Sequence, residues 1–303
     1  MSCSFPKEAR FGVVPSWRKG RQNEMLYAEL SDYGERTSQF LMSREIPPAN
    51  PWIIRPSKRP EAAFRLFCFP RAGGGVASFR SWPEDSHAEI EVALVQPPGR
   101  ETRLREAPVT TMESLASSIC GAMTDLLDRP YALYGHSLGA KVAFETSMEL
   151  RRRGLPAPVY FFAAASAAPT VPWTRPLVHS LSDFELLQEI QRRYGGVPQG
   201  ILANQELWPF LVPALRADIR ILETYRYADA LPLSCPITCF CGTSDTMTPE
   251  SEALEWRRQT SAQFRLLVLP GDHFFPLQER PRVLRQIAAD LSLPDSWTAG
   301  VSI

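Results

Sequence analysis

The chain has 303 residues, of which 44% are hydrophobic and 22% charged, which excludes global disorder and supplies a sizeable core. Lys plus Arg (33) balances Asp plus Glu (33), so the overall charge gives no support for binding nucleic acid or another polyanion. The strongest apolar run, near Tyr160–Ala168, is far short of a membrane span, and the N-terminus lacks the apolar segment of a secretory signal.

Residues 1–49 are polar and rich in Arg and Ser, and they end in the linker-like Pro47-Pro48-Ala49-Asn50-Pro51. They are expected to form a poorly ordered extension, with a short helix around Glu24–Leu41. Residues 50–303 then read as one domain. FRLFCFP from Phe64 is a buried strand stopped by proline and glycines, and EVALVQPPG is a second. MESLASSICGAMTDLL has helical spacing. YALYGHS is a third strand, and LGAKVAFETSMELRRRG after it is a helix with Gly154 at its C-terminal cap. PVYFFAAAS, CPITCFCG and FRLLVLPG supply three more strands, and ESEALEWRRQT and RPRVLRQIAADL two more helical stretches. Strands alternating with helices predict an α/β fold: a mostly parallel sheet covered on both faces. From about residue 170 to 232 the alternation stops. LSDFELLQEIQRRYGG and NQELWPFLVPALRADIRILETYRY are helical, and they are expected to form a lid. The six cysteines have no paired zinc-ligand spacing. They read as buried reduced thiols, which suits the cytoplasm.

The chemistry centres on Gly135-His136-Ser137-Leu138-Gly139, a G-x-S-x-G at a strand-to-helix junction. A nucleophile presented there sits on a sharp turn, and the flanking glycines let neighbouring backbone pass. A serine hydroxyl needs a base, and in such a fold the chain order is Ser, acid, His. His273, in PGDHFF after the last strand, is the predicted base. His87 precedes the nucleophile, His136 is assigned to packing, and His179 falls at the start of the lid. Asp245 in GTSDTMTP is the predicted acid, with helix capping as its alternative, although Thr248-Pro249-Glu250 already offers capping chemistry. Asp183, Asp218 and Asp229 fall in the helical insertion, and Asp272 is poorly placed beside the base. Two backbone amides are expected to form an oxyanion hole. One is that of Leu138. The other is that of Ala72 in the Gly-rich PRAGGG loop, with Arg71 as an alternative. No cofactor and no metal are expected.

Taken together, FCFPRAGGGVASFRSWP, VQPPGRETRLREAP, YGHSLGAKVAFE, VPALRADIRILETYRY, CPITCFCGTSD and LPGDHFFP resemble the type II (external) thioesterases of nonribosomal peptide and polyketide synthesis, within the α/β-hydrolase superfamily. The resemblance runs from about Trp52 to Leu293. It implies a Ser137–Asp245–His273 triad, a helical lid, and an acyl group borne on the phosphopantetheine arm of a carrier protein as substrate. Editing of stalled or misprimed synthases is the task it implies, and a monomer is expected. Two features depart from the family: Arg71, where an aromatic residue or His is common, and the N-terminal extension, which suggests a start at Met42. Leu207, Trp208, Phe210 and Leu211 are candidates to line an acyl pocket, or are ordinary core. Arg100, Arg103 and Arg105 are a candidate docking cluster for an acidic carrier protein, or a solvated surface. The competing functions are a carboxylesterase or lipase on oxygen esters, and a noncatalytic binding protein on the same fold.

Overall fold

The computed structural model describes residues 50–294. The extension assigned to residues 1–49, its expected helix, the Met42 start and Cys3 lie outside the described residues. One seven-stranded sheet organises the rest: β1 (Ile53–Ile54), β2 (Phe64–Phe69), β3 (Ile90–Val95), β4 (Tyr131–His136), β5 (Tyr160–Ala164), β6 (Ile237–Gly242) and β7 (Phe264–Leu269). Their order across the sheet is β1-β3-β2-β4-β5-β6-β7. Only β1 is antiparallel, pairing Ile53 with Val95; two residues are too few to show a period, so the sequence gives no sign of it. The six predicted strands all form and run parallel.

Side chains alternate between two cores, as a strand's period of two requires. Phe67, Phe69, Leu133 and Phe161 face one core, and Leu66, Cys68, Tyr134 and Phe162 the other. The helices in chain order are α1 (Trp82–Asp85), α2 (Met112–Met123), α3 (Leu138–Arg152), α4 (Asp183–Tyr194), α5 (Gln199–Ala203), α6 (Trp208–Thr224), α7 (Glu250–Leu254), α8 (Phe275–Gln278) and α9 (Arg280–Asp290). Leu115 and Ile119 of α2 and Val142 and Phe144 of α3 close the first core, while Val283, Leu284 and Ile287 of α9 close the second. Thr111 caps α2 by accepting from Ser114 N–H, and Gly154 takes φ +67° just beyond α3. Between β5 and β6 the chain is helical, with α4, α5 and α6 in the interval read as a lid. Ser182 and Glu185 start α4 with a reciprocal capping box, and Gly195 ends it in the left-handed region at φ +73°. Cys68, Cys120, Cys235, Cys239 and Cys241 are buried free thiols. Among the described residues no helix is long and apolar enough to cross a membrane.

A buried ion pair lies within the sheet. Arg65 of β2 and Glu91 of β3 stand directly opposite each other and are 1% exposed. Arg65 Nε donates to Glu91 Oε2 at 2.7 Å, and its Nη1 reaches the Leu126 carbonyl and Asp128. Removing one member of such a pair leaves a charge uncompensated in a low-dielectric interior. Arg65→Met is therefore expected to cost about 3–5 kcal/mol, read as a lower urea midpoint. Adding Glu91→Leu should recover part of that loss.

Candidate active site

The strand order reverses between β2 and β4, which leave the sheet side by side with Phe69 in register with Gly135. A crevice at the C-terminal ends of parallel strands is where ligands bind in such sheets. Beyond β4, Ser137 adopts φ 56° and ψ −120°, a strained conformation for a residue with a side chain. Two glycines permit the turn. A Cβ on Gly139 would lie 2.2 Å from the Phe69 carbonyl oxygen, and one on Gly135 would lie 2.2 Å from Ala140 Cα. The first turn of α3 thus presses against the end of β2 with no side chain between them.

Asp245 follows β6 and His273 follows β7. Their loops bring both to Ser137: His273 Nε2 is 2.9 Å from Ser137 Oγ, and His273 Nδ1 is 2.9 Å from Asp245 Oδ2. The other Asp245 oxygen, Oδ1, accepts from Met247 and Thr248 N–H at 2.9 and 3.1 Å. Turn-closing and orientation of the imidazole are therefore divided between the two oxygens. Thr248-Pro249-Glu250 does not supply the expected cap: Pro249 precedes α7 at the N-cap position, and no side chain caps the helix there. His273 is buried, and the Tyr194 ring of α4 lies 4.9 Å from its ring.

The other histidines are engaged elsewhere. His136 Nε2 is 3.0 Å from the His273 carbonyl oxygen; since a carbonyl only accepts, Nε2 carries the proton. His136 thereby ties the nucleophile's strand to the loop bearing the imidazole. Burial, with a smaller contribution from His273, pushes its pKa down to about 3. His179 Nδ1 lies 2.5 Å from Glu223 Oε2, and His87 Nε2 lies 3.1 Å from the Pro294 carbonyl. Asp272 Oδ1 accepts from Phe274 N–H, and Asp183 pairs with Arg216.

Leu138 is the first residue of α3, where backbone amides and the helix dipole favour negative charge. Ala72 lies in the loop leaving β2, beside the elbow, and packs against the first core. That loop is heavily anchored. Gln96 Oε1 and Glu101 Oε2 accept from Val76 N–H, Glu101 Oε1 accepts from Ala77 N–H, and Asp218 Oδ2 accepts from Gly73 N–H. Arg71 stacks over the Phe274 ring at 5.1 Å.

Asp218 belongs to α6, and its partner corrects an expectation. Arg100 and Arg103 are not a surface cluster; they are 5% and 7% exposed, and only Arg105 faces solvent. Arg100 forks onto Asp218 at 2.5 and 3.0 Å and donates to the Gly74 carbonyl. Arg103 donates to the Gln96 carbonyl and lies 4.2 Å over the Trp52 ring. Carrier docking on these two guanidiniums is excluded by their burial. The acyl-pocket residues also need correction. Ser137 and His273 open on a cleft of about 540 Å³, mouth included, which is lined by Leu222 of α6 and by Tyr225 just beyond its end. None of Leu207, Trp208, Phe210 and Leu211 lines it. Trp208 instead donates to the Ile201 carbonyl and stacks on Phe184, while Leu207 and Phe210 are exposed. The end of α6 that reaches the cleft is its last turn.

Known proteins resemble this chain in sequence and in fold. The sequence model of the thioesterase domain family matches residues 64–291. The gramicidin S biosynthesis protein GrsT of Aneurinibacillus migulanus is 34% identical over 80% of this chain and 95% of its own. RedJ, a thioesterase of the prodiginine pathway of Streptomyces coelicolor, superposes with a TM-score of 0.72 at 38% identity, covering 84% of this chain and 99% of RedJ. BorB, the type II thioesterase of the borrelidin cluster, gives 0.73 at 33% identity over 79% and 97%.

Two outcomes follow from these contacts. Asp218→Asn removes the acceptor charge that holds both Arg100 and Gly73, so kcat is expected to fall by about an order of magnitude or more, because small displacements of a reacting constellation are costly. Steady-state kinetics on the folded variant check this. His136 is held neutral in the folded state while the unfolded chain protonates near pH 6.5. Its contribution is intact above about pH 6.5 and is lost as pH falls towards 3. Urea titrations across that range should show a shallower loss in His136→Gln than in the parent.

Proposed function

The chain belongs to the thioesterase family, and from that premise we propose that it hydrolyses acyl groups from the phosphopantetheine arm of carrier proteins. It thereby clears stalled or misprimed groups from a peptide or polyketide synthase. We propose that it acts in the cytoplasm, as a monomer. The observation that carries the chemistry is the unbroken line Asp245 Oδ2, His273 Nδ1, His273 Nε2, Ser137 Oγ, with 2.9 Å at both hydrogen bonds.

Ser137 Oγ attacks the thioester carbonyl as His273 Nε2 takes its proton. Negative charge on the carbonyl oxygen is met by the amides of Leu138 and Ala72, which in comparable sites supply about 3–4 kcal/mol per donor. The carbon–sulfur bond breaks and the imidazolium gives its proton to the departing thiolate. Water, deprotonated by His273, then attacks the acyl ester. The fatty or peptidyl acid leaves, and the proton returns to Ser137. Asp245 holds the imidazole with its proton on Nδ1 and stabilises the imidazolium. The reading calls for no cofactor beyond the arm that carries the substrate.

A lipase or carboxylesterase would use the same acyl-enzyme. The thioester is favoured by the family match and by relatives named for peptide and polyketide pathways. Kinetics on an acyl-carrier protein and on an oxygen ester of the same acyl group test the choice; a strong preference for the ester overturns it. A fluorophosphonate should label the parent and not Ser137→Ala. His273→Ala should lower kcat by about 10⁴-fold or more, and unchanged turnover in either variant would remove the triad from the reaction.

A further inference from the structure

One turn along α3 from Ser137, on the same face, stands Lys141. Its position drew no attention in the sequence, where it reads as one more polar residue of a helix. The structure buries it: the residue is 7% exposed and lines the same cleft as Ser137 and His273. Nζ donates to the Ala168 carbonyl at 3.0 Å and lies 5.4 Å from the Tyr225 ring. An ammonium carries three donors, and an interior charge is costly unless it is paired. Neither contact supplies a full counter-charge.

Two carboxylates act on it without bonding to it, and one of them, Glu252, keeps a buried Oε2 with no hydrogen-bond partner among the described residues. Glu252 and Arg175 also line the cleft, and Glu252 Oε1 faces Arg175 Nη2 at 3.9 Å. Glu145, outside the lining, accepts from Tyr225 O–H at 2.6 Å. Burial pulls the Lys141 pKa down to about 8, while the carboxylates of Glu252 and Glu145 oppose that fall. Lys141 therefore stays largely charged at neutral pH. Trp173 lines the same cleft, and its Nε1 is buried with no hydrogen-bond partner among the described residues. The lining is mixed: Val171, Leu222 and Met247 supply apolar surface, and Ser166, Tyr194 and Thr248 are also part of it.

We infer that this cleft is built for an acyl group with a short apolar stem and a terminal carboxylate, the half-thioester of a dicarboxylic acid, with Lys141 receiving the carboxylate. The inference rests on the thioesterase reading and names the substrate class of that same site. Lys141 is a specificity residue: it meets the far end of the acyl group while Ser137 meets the carbonyl. A hydrocarbon of equal length would leave the ammonium facing methylenes, and a cationic acyl group would face it directly.

The test uses three carrier-protein thioesters of matched length: glutaryl, pentanoyl and 5-aminopentanoyl. The parent enzyme is expected to hydrolyse the glutaryl form with at least tenfold higher kcat/KM than the pentanoyl form. That ratio should collapse towards one in Lys141→Met and persist in Lys141→Arg, which keeps the charge and also guards against a merely structural effect of the Met variant. A parent ratio near one, a ratio unchanged in Lys141→Met, or a preference for 5-aminopentanoyl drawn by Glu252 would each overturn the assignment. Failure to hydrolyse any of the three carrier thioesters, with oxygen esters still cleaved, would instead overturn the thioesterase reading and this assignment with it.

Discussion

The close approach of α3 to the end of β2 is the constraint on which the rest of the site depends. Two backbones meet where Gly139 abuts the Phe69 carbonyl, and no residue with a Cβ could stand there. This contact sets the first amides of α3 beside the loop leaving β2, and it forces Ser137 into the positive-φ conformation that projects Oγ over the sheet. The strain is local, of a kind typically costing about 1–3 kcal/mol. It is held by a helix buried on nearly every side, from Leu138 to Leu150. A nucleophile on a looser turn would save that strain and lose its fixed relation to the base.

Around that elbow, loops far apart in the chain are bound together by polar contacts in the interior. His136 joins the elbow to the His273 loop through one hydrogen bond. Asp245 serves its own turn with one oxygen and the imidazole with the other. Asp218 ties α6 to the loop of Ala72 through Gly73 and Arg100. Asp218 of α6 thus holds the loop leaving β2 directly through Gly73 N–H and indirectly through Arg100, whose bidentate charge-assisted fork, the strong kind of hydrogen bond, also donates to the Gly74 carbonyl. Whatever displaces α6 must break that fork or carry the loop with it.

The cleft divides its tasks along a single helix. In the proposed reading the N-terminus of α3 addresses the reacting carbonyl through Ser137 and Leu138, and its next turn, where Lys141 lines the same cleft, addresses the distal end of the acyl group. Helical geometry fixes the spacing between these two functions. Acyl length and acyl polarity are therefore read against a ruler that is continuous with the nucleophile.

The amino-acid sequence by itself determined the elements and the order of the chemistry. Short apolar runs stopped by glycine and proline marked six of the seven strands, and G-x-S-x-G between a strand and a helix marked the elbow. Asp245 and His273 stood out because each follows a strand, and a strand's end has a definable edge of the sheet. These signals are local: propensity, periodicity and backbone freedom act within a few residues. Only the tertiary structure decided which charges are inside. Arg100 and Arg103 read as surface because arginine is usually exposed, and nothing near them in sequence announces Asp218 or Trp52. Leu207, Trp208, Phe210 and Leu211 read as pocket or core because they are apolar, yet α6 meets the cleft at Leu222, with Tyr225 just beyond its end. Lys141 was silent for the same reason. Its burial depends on Ala168 and Tyr225 closing over it from other parts of the chain, and contacts between distant segments leave no periodic trace in the sequence.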